Sequence, residues 1–316
     1  MFRETKPPDG SGREVLRLAV SAMATRFELV LPVGTGTPSA RDLRAAGEEA
    51  LAEIVRVENW LSIYRPTSEL SLVNQSAGNR PVRVSPPVFH LLQRVGEICQ
   101  RTNGTFDPTV GPLIKLWREG YWPSHPLDQQ LLAIREAVGW GNIELDSTTG
   151  TVRFHHPETR LDLGSVGKGW ALDRAVELLG DAGVGSALLQ GGTSSVRVMG
   201  LSPSGEGWPV EIAPGDPTQS LPQQSFQPLV ISLSDESLSV SATWGSRRVN
   251  STGEEHGHLF DPRTGTVVLG HRRAVVVGPT ATDTDALSTA LLVTGVPMIG
   301  ALAGGNFGPY LRGWWG

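Results

Sequence analysis

The chain has 316 residues, of which 39% are hydrophobic and 19% charged, an ordinary globular composition able to bury one large core or two modest ones. Its formal charge of −5 leaves no basic surplus to neutralise a phosphate backbone, which argues against nucleic acid as the main partner. No apolar run reaches the roughly 18 residues of a membrane span, and the single cysteine, Cys99, excludes an internal disulfide or a cysteine-built metal site. In chain order, residues 1–13 are polar and rich in Pro and Gly, and are expected to form a loose arm. They carry neither the apolar stretch nor the cleavage site of a signal peptide, so the cytoplasm is the expected compartment unless the natural start lies upstream. Residues 14–316 are expected to form one domain. Two strand-like runs, EVLRLAV and FELVLPV, come first.

A helix is predicted over about Ser39–Leu61, where Leu43, Ala46, Ala50, Ile54, Val57 and Leu61 form one stripe at spacings of three and four. SIYRPTSELSLVN reads as a loop. A second helix covers about Pro87–Arg101 and stops at Thr-Asn-Gly. It carries Cys99 on the same face as Val88, Leu91, Leu92 and Val95, which marks the thiol as a core residue. TFDPTVGPL reads as irregular, a third helix is predicted near Leu127–Val138, and the short runs NIELD and TVRFH follow. From Ser186 onward the pattern is mostly strands: ALLQ, SSVRVMG, PVEIAP, LVISLS, LSVSAT and AVVVG. One helix is inserted at about Thr284–Thr294, and residues 201–228 read as long surface loops. Strands following strands, with the helices gathered in the first half, predict an α+β fold with largely antiparallel sheet.

Three stretches carry chemistry. LDLGSVGKGWALDRAVELL (161–179) sets glycines and a lysine before a helix. It fails the Walker A pattern, because Gly164 and Gly167 are too close and Gly169 stands where a hydroxyl should follow Lys168. Two readings remain open: a loop whose glycines let the backbone approach a phosphate, or a tight strand-to-helix turn. In TATDTDALSTALLVTG (280–295), Asp285, Ser288 and Thr289 stand at i, i+3 and i+4 on one helix face. A carboxylate with two hydroxyls suits a hard cation such as Mg²⁺. The alternative is that Asp283 or Thr284 caps the helix and the hydroxyls bond back to its own carbonyls. In HGHLFDPRTG, Asp-Pro followed by Thr-Gly marks a turn, and His258 is a general base or a structural histidine.

Together these stretches resemble the ApbE-type flavin transferases, the FAD:protein FMN transferases, with motifs in family order from about residue 20 to 297. AMATRF resembles the Met-Gly-Thr motif, with Ala24 in the glycine position, and LSIYRPTSELSLVN resembles the Ser-x-Tyr loop. TNGTFDPTVGPL, LDLGSVGKGWALDRA, HLFDPRTG and TDALSTAL complete the set. The chain departs from the family pattern at Gln190, Thr193, Trp244 and Gly257. The resemblance implies a T-fold-like α+β architecture and Mg²⁺-dependent transfer of FMN from FAD to a Thr or Ser hydroxyl of an acceptor protein, with AMP released. With water as acceptor the same site is a FAD pyrophosphatase; without turnover it is a FAD-binding protein. Carried over by position, Met23, Tyr64, Thr105, Phe106, Asp107, Asp162, Lys168 and Leu259 are expected to line the FAD site. Ser165, Asp285, Ser288 and Thr289 are expected to hold or border the metal. His258 and Asp285 are expected to be catalytic, with His258 as the base.

Overall fold

The computed structural model describes residues 14–34, 38–119, 129–212, 229–243, 247–249, 255–257, 259–270, 272–295 and 312–315. The arm at 1–13, most of the loop expected over 201–228, Trp244 and His258 lie outside these residues. Contacts group the chain into two compact units. One holds residues up to 56, 168–240 and 277–284; the other holds 57–167, 241–276 and 285 onward. All five chain crossings fall inside helices or strands rather than in linkers.

In the first unit, β1 (Val15–Ala22) and β2 (Thr25–Pro32) pair antiparallel around a two-residue turn at Met23-Ala24. Both turn residues have positive φ, 51° and 56°, as a type I′ turn requires. That conformation costs a non-glycine residue about 1 kcal/mol, a physical reason for the family's glycine where this chain has Ala24. β6 (Ala187–Gly191), β7 (Ser195–Met199) and β10 (Ser237–Ala242) extend the sheet, antiparallel at every step. The order of these strands is β1-β2-β6-β7-β10; most of β13 (Arg273–Gly278) and all of β14 (Arg312–Trp315) belong to the second unit. β8 (Trp208–Ile212) and β9 (Leu229–Leu233) form a separate antiparallel pair.

α1 (Ala40–Leu61) follows the predicted stripe, with Leu43, Ala50 and Ile54 fully buried. α6 (Gly167–Asp181) follows the apolar face that the sequence places at Ala171, Leu172, Ala175, Leu178 and Leu179; all are buried except Leu178, which is partly exposed. The two helices are tied by Arg174, whose Nε and Nη2 both donate to Glu53 Oε1 at 2.9 and 2.8 Å. Glu53 is fully buried and also bonds Arg56, so this acid is paired rather than left as an uncompensated charge.

In the second unit, α3 (Pro86–Arg101) buries Val88, Leu91, Leu92, Val95 and Cys99 as its spacing predicts. Burial pushes the Cys99 thiol far up, so it stays protonated as a core side chain. Two helices stand where loop was expected. α2 (Glu69–Ser76) starts inside the Ser-x-Tyr loop because Ser68 accepts from the Ser71 N–H at 3.0 Å, and Leu70 and Val73 face inward. α4 (Gly111–Arg118) starts with Pro112 in its first turn and buries Leu113 and Trp117 at i and i+4. Those two pack with Leu131, from α5 (Gln129–Arg135), and with Phe260. β3 (Val82–Arg83), β4 (Ile143–Asp146) and β5 (Thr151–Phe154) make a three-stranded antiparallel sheet in the order β3-β5-β4. β11 (Arg247–Val249) and β12 (Glu255–Gly257) form another antiparallel pair. The expected turn at Asp261-Pro262 is present: Thr264 and Gly265 N–H both donate to the Asp261 carbonyl, and Gly265 has φ 74°. α7 (Ala281–Thr294) begins three residues before its predicted start and is buried continuously from Ala281 to Ser288. The molecule is a mixed α+β fold, as expected.

Candidate functional site

In the second unit, an open cleft of about 500 Å³ is lined by residues from the Ser-x-Tyr loop, α2, α4 and the segment leading to Asp162. Asn74 of α2 builds one wall. Its amide donates to the Leu161 carbonyl at 2.9 Å and accepts from the Leu161 N–H at 2.7 Å, a two-bond clamp resembling a sheet pairing. The clamp fixes Asp162 beside it. Asp162 turns one oxygen back to the Gly164 N–H at 2.9 Å, and its own N–H donates to the Pro108 carbonyl at 2.8 Å. Tyr64, 75% exposed, follows the lining residue Ile63 in the chain and is held by a second one, Arg118, whose Nη2 donates to its hydroxyl at 2.6 Å. The Arg118 guanidinium carbon lies 5.3 Å from the ring centroid. So of the expected flavin-site residues Asp162 lines this cleft itself, and Tyr64 is tied to it through Arg118.

The Thr105-Phe106-Asp107 segment is internal. Thr105 and Phe106 are buried, and Thr105 Oγ1 donates to the Thr102 carbonyl at 2.9 Å. Asp107 is a structural knot: Oδ1 accepts from the Thr109 N–H and hydroxyl at 2.9 and 2.6 Å, and Oδ2 accepts from the Trp140 N–H at 2.7 Å. Burial raises its pKa above the ordinary carboxylate range, while the Thr109 and Trp140 donors pull it back. Its carboxylate shapes the loop that carries Pro108, the acceptor of the Asp162 N–H. Leu259 is half-buried, and its carbonyl accepts from the Val268 N–H.

In the first unit, the starts of α6 and α7 meet so closely that a Cβ on Gly169 would lie 2.1 Å from the Ala281 carbonyl oxygen. This glycine is therefore required by a helix crossing, whichever reading the rest of the stretch takes. One turn further along α6, Asp173 caps α7. It accepts from the N–H groups of Ala281 and Thr282 at 2.8 Å each and from the Thr282 hydroxyl at 2.7 Å, with Arg197 at 3.5 Å. Burial pushes the Asp173 carboxyl up to about 6, against the downward pull of those donors and of Arg197. Thr280 adds a local cap through its hydroxyl, which accepts from the Asp283 N–H at 3.3 Å. The helix therefore starts at 281, capped by residues other than Asp283 or Thr284. Lys168 is partly exposed in the first turn of α6, where a cation opposes the helix dipole and an anion suits it. Met23, also expected at the flavin, sits half-buried in the β1–β2 turn.

Asp285, Ser288 and Thr289 share a face of α7. Both hydroxyls bond back to the Asp285 carbonyl, Ser288 at 3.0 Å and Thr289 at 3.2 Å. Ser288 is fully buried and also 2.7 Å from the Ser241 hydroxyl, which must act as donor there because the Ser288 proton is already used. Thr289 is only partly buried, and its proton points at the helix, which turns its lone pairs outward. Ser165 is partly exposed in the turn before α6. A carboxylate with hydroxyls suits a hard, oxygen-seeking cation by its chemistry, but Asp285 and Ser288 are both buried here, and Ser288 is the least available donor. Among the described residues, no group of three His, Cys, Asp or Glu is arranged to hold a metal. The Gln190 side chain donates to the Gly192 carbonyl at 2.9 Å, closing the β6–β7 turn where the family pattern has asparagine.

Sequence reasoning gave no role to Asn74, Thr109 or Asp173, and it read Gly169 as part of a loop rather than as a helix contact. Asn74 and Asp173 act on main-chain groups 87 and 108 residues away, and no local pattern signals such a partner.

The fold and these motifs define an α+β protein with flavin-transferase-like signature loops, and comparison with known proteins makes the class specific. The family model described as the ApbE family matches residues 23–306, and the chain belongs to that family. A Vibrio cholerae protein named FAD:protein FMN transferase is 27% identical over 94% of this chain and 87% of its own length. One from Klebsiella pneumoniae with the same name is 30% identical over 79% of this chain and 77% of its own. The solved flavin transferase ApbE from Vibrio cholerae superposes with a TM-score of 0.75 at 23% identity, covering 96% of this chain and 97% of that one, a likeness of fold.

Proposed function

We propose that this protein is a Mg²⁺-dependent FAD:protein FMN transferase: it moves FMN from FAD to a Ser or Thr hydroxyl of an acceptor protein and releases AMP. The observation that carries the reading is family membership over 23–306, with six motifs in family order, among relatives that bear this activity as their name. The reaction is an attack by the acceptor oxygen on the FMN-side phosphorus of the pyrophosphate, so positioning and charge neutralisation dominate its cost. Asp285, Thr289 and Ser165, with Ser288 behind them, would hold the metal, which when bound would supply positive charge to the pyrophosphate oxygens and the departing AMP. Lys168 adds a fixed cation where the α6 start already favours an anion. His258 takes the proton of the acceptor hydroxyl in this reading. Tyr64, Asp162 and the 105–107 segment form or shape the flavin dinucleotide's pocket.

Incubation with FAD, Mg²⁺ and a candidate acceptor protein should add the mass of one FMN to the acceptor and release one AMP per transfer. Asp285→Ala and His258→Ala should each lower the rate by about 100-fold or more, the range expected for a lost charge-stabilising or proton-accepting group. Full transfer by Asp285→Ala would refute the metal assignment. Release of free FMN without acceptor would instead indicate hydrolysis.

A further inference from the structure

The cleft that Arg118 and Asp162 line has a lopsided charge. Of the ionisable side chains lining it, Lys115, Arg118 and Arg160 are cations and only Asp162 is an acid. Lys115 and Arg118 lie one turn apart in the last turn of α4, and cations there also offset the helix dipole. The dipole does not explain where Arg118 points: it reaches back 54 residues in sequence to bond the Tyr64 hydroxyl at 2.6 Å and lie over its ring at 5.3 Å. Arg160 bonds only neutral acceptors among the described contacts, the Pro157 and Thr159 carbonyls, each at 2.7 Å. Its backbone is pinned to the start of α4, since a Cβ on Gly111 would sit 2.7 Å from the Arg160 carbonyl oxygen. Of the three cations Arg118 is the one that holds an aromatic ring, and that ring keeps 75% of its surface exposed.

We propose that Arg118 is a positioning residue for the flavin dinucleotide. It grips the Tyr64 hydroxyl and covers one ring face, leaving the other face as a fixed platform for a flat heterocycle of FAD. Its charge, with those of Lys115 and Arg160, draws the phosphates toward the same cleft. A ring held in advance loses less freedom on binding than a mobile one, so the gain falls on affinity. This inference rests on FAD being the substrate.

The test is FAD binding and steady-state transfer by the full chain carrying Arg118→Ala, Arg118→Lys, Tyr64→Phe and the Arg118→Ala/Tyr64→Phe double substitution. Arg118→Ala should weaken FAD binding about five- to tenfold, the size of a cation–π contact plus an exposed hydrogen bond. The loss should fall on KM more than on kcat, and bound flavin should be less quenched. Arg118→Lys should recover part of the affinity through its charge. The double variant should bind no worse than Arg118→Ala alone, because the Tyr64 hydroxyl matters only through its partner. The salt dependence of FAD binding should also become shallower in Arg118→Ala. Wild-type affinity and quenching in Arg118→Ala would overturn the proposal while leaving the transferase reading intact. Failure of the unaltered protein to bind FAD would overturn both.

Discussion

Asp173 shows how one carboxylate can matter to a site it need not touch. It supplies acceptors to the first two N–H groups of α7, the helix that carries Asp285 three residues further on. Its pKa rises from 3.8 to about 6 on folding, mainly through burial. A carboxyl with a higher pKa in the folded state binds its proton more tightly there, so its contribution to stability is greatest below about pH 4. That contribution falls as pH climbs to about 6 and is level above. The fall is on the order of 2–3 kcal/mol at about 1.4 kcal/mol per pKa unit. Asp173→Asn cannot titrate. The difference in unfolding free energy between the wild type and Asp173→Asn should therefore drop by that order between pH 4 and 6 and stay constant from pH 6.5 to 8. Urea titrations at stepped pH would measure it, and a flat difference throughout would show that Asp173 titrates normally.

At the scale of elements, the same substitution at two points of α6 should have opposite signs. Gly169→Ala places a methyl 2.1 Å from the Ala281 carbonyl oxygen, and that neighbour is backbone that cannot rotate away. The α6 and α7 starts must part, at a cost of about 2–3 kcal/mol, with loss of the Asp173 cap and of FMN transfer. At Gly180 the nearest atom to an added methyl is the Met199 Cε at 3.5 Å, ordinary contact, so Gly180→Ala should stabilise by about 0.5 kcal/mol through the unfolded chain. Thermal melts of both variants with transfer assays would check the pair. The contrast also marks what the sequence could tell. The glycines of 161–179 stood out, but their pattern alone did not separate a ligand approach from a tight strand-to-helix turn, and neither reading contained the helix crossing at Gly169. α1, α3 and α6 were legible because their apolar stripes are long and regular. α2 and α4 were not, because eight residues full of hydroxyls, or opened by Gly-Pro, carry too few periodic positions to outweigh their turn-like composition. The start of α7 was misplaced because its cap comes from another helix.

Across the whole molecule, the family motifs made the fold class legible and named candidate site residues, while the tertiary supports beneath those residues could not be read from them. Asn74 bracing Asp162, Thr109 and Trp140 bracing Asp107, and Asp173 bracing α7 are all tertiary contacts. Their combined effect can be read through ligand linkage, because a ligand that binds only the folded chain raises its stability in proportion to occupancy. FAD at 100 times its dissociation constant should add about 2.7 kcal/mol to the unfolding free energy. If Asp285, Thr289 and Ser165 meet the ion against the bound pyrophosphate, Mg²⁺ should raise stability more in the presence of FAD than in its absence. In Asp285→Ala that extra increment should vanish while the increment from FAD alone remains. Each variant is compared with itself, with and without ligand, so a baseline change caused by the substitution cancels. Wild-type melts in which Mg²⁺ adds nothing beyond FAD would place the metal elsewhere. An Asp285→Ala protein that keeps the full Mg²⁺ increment would do the same.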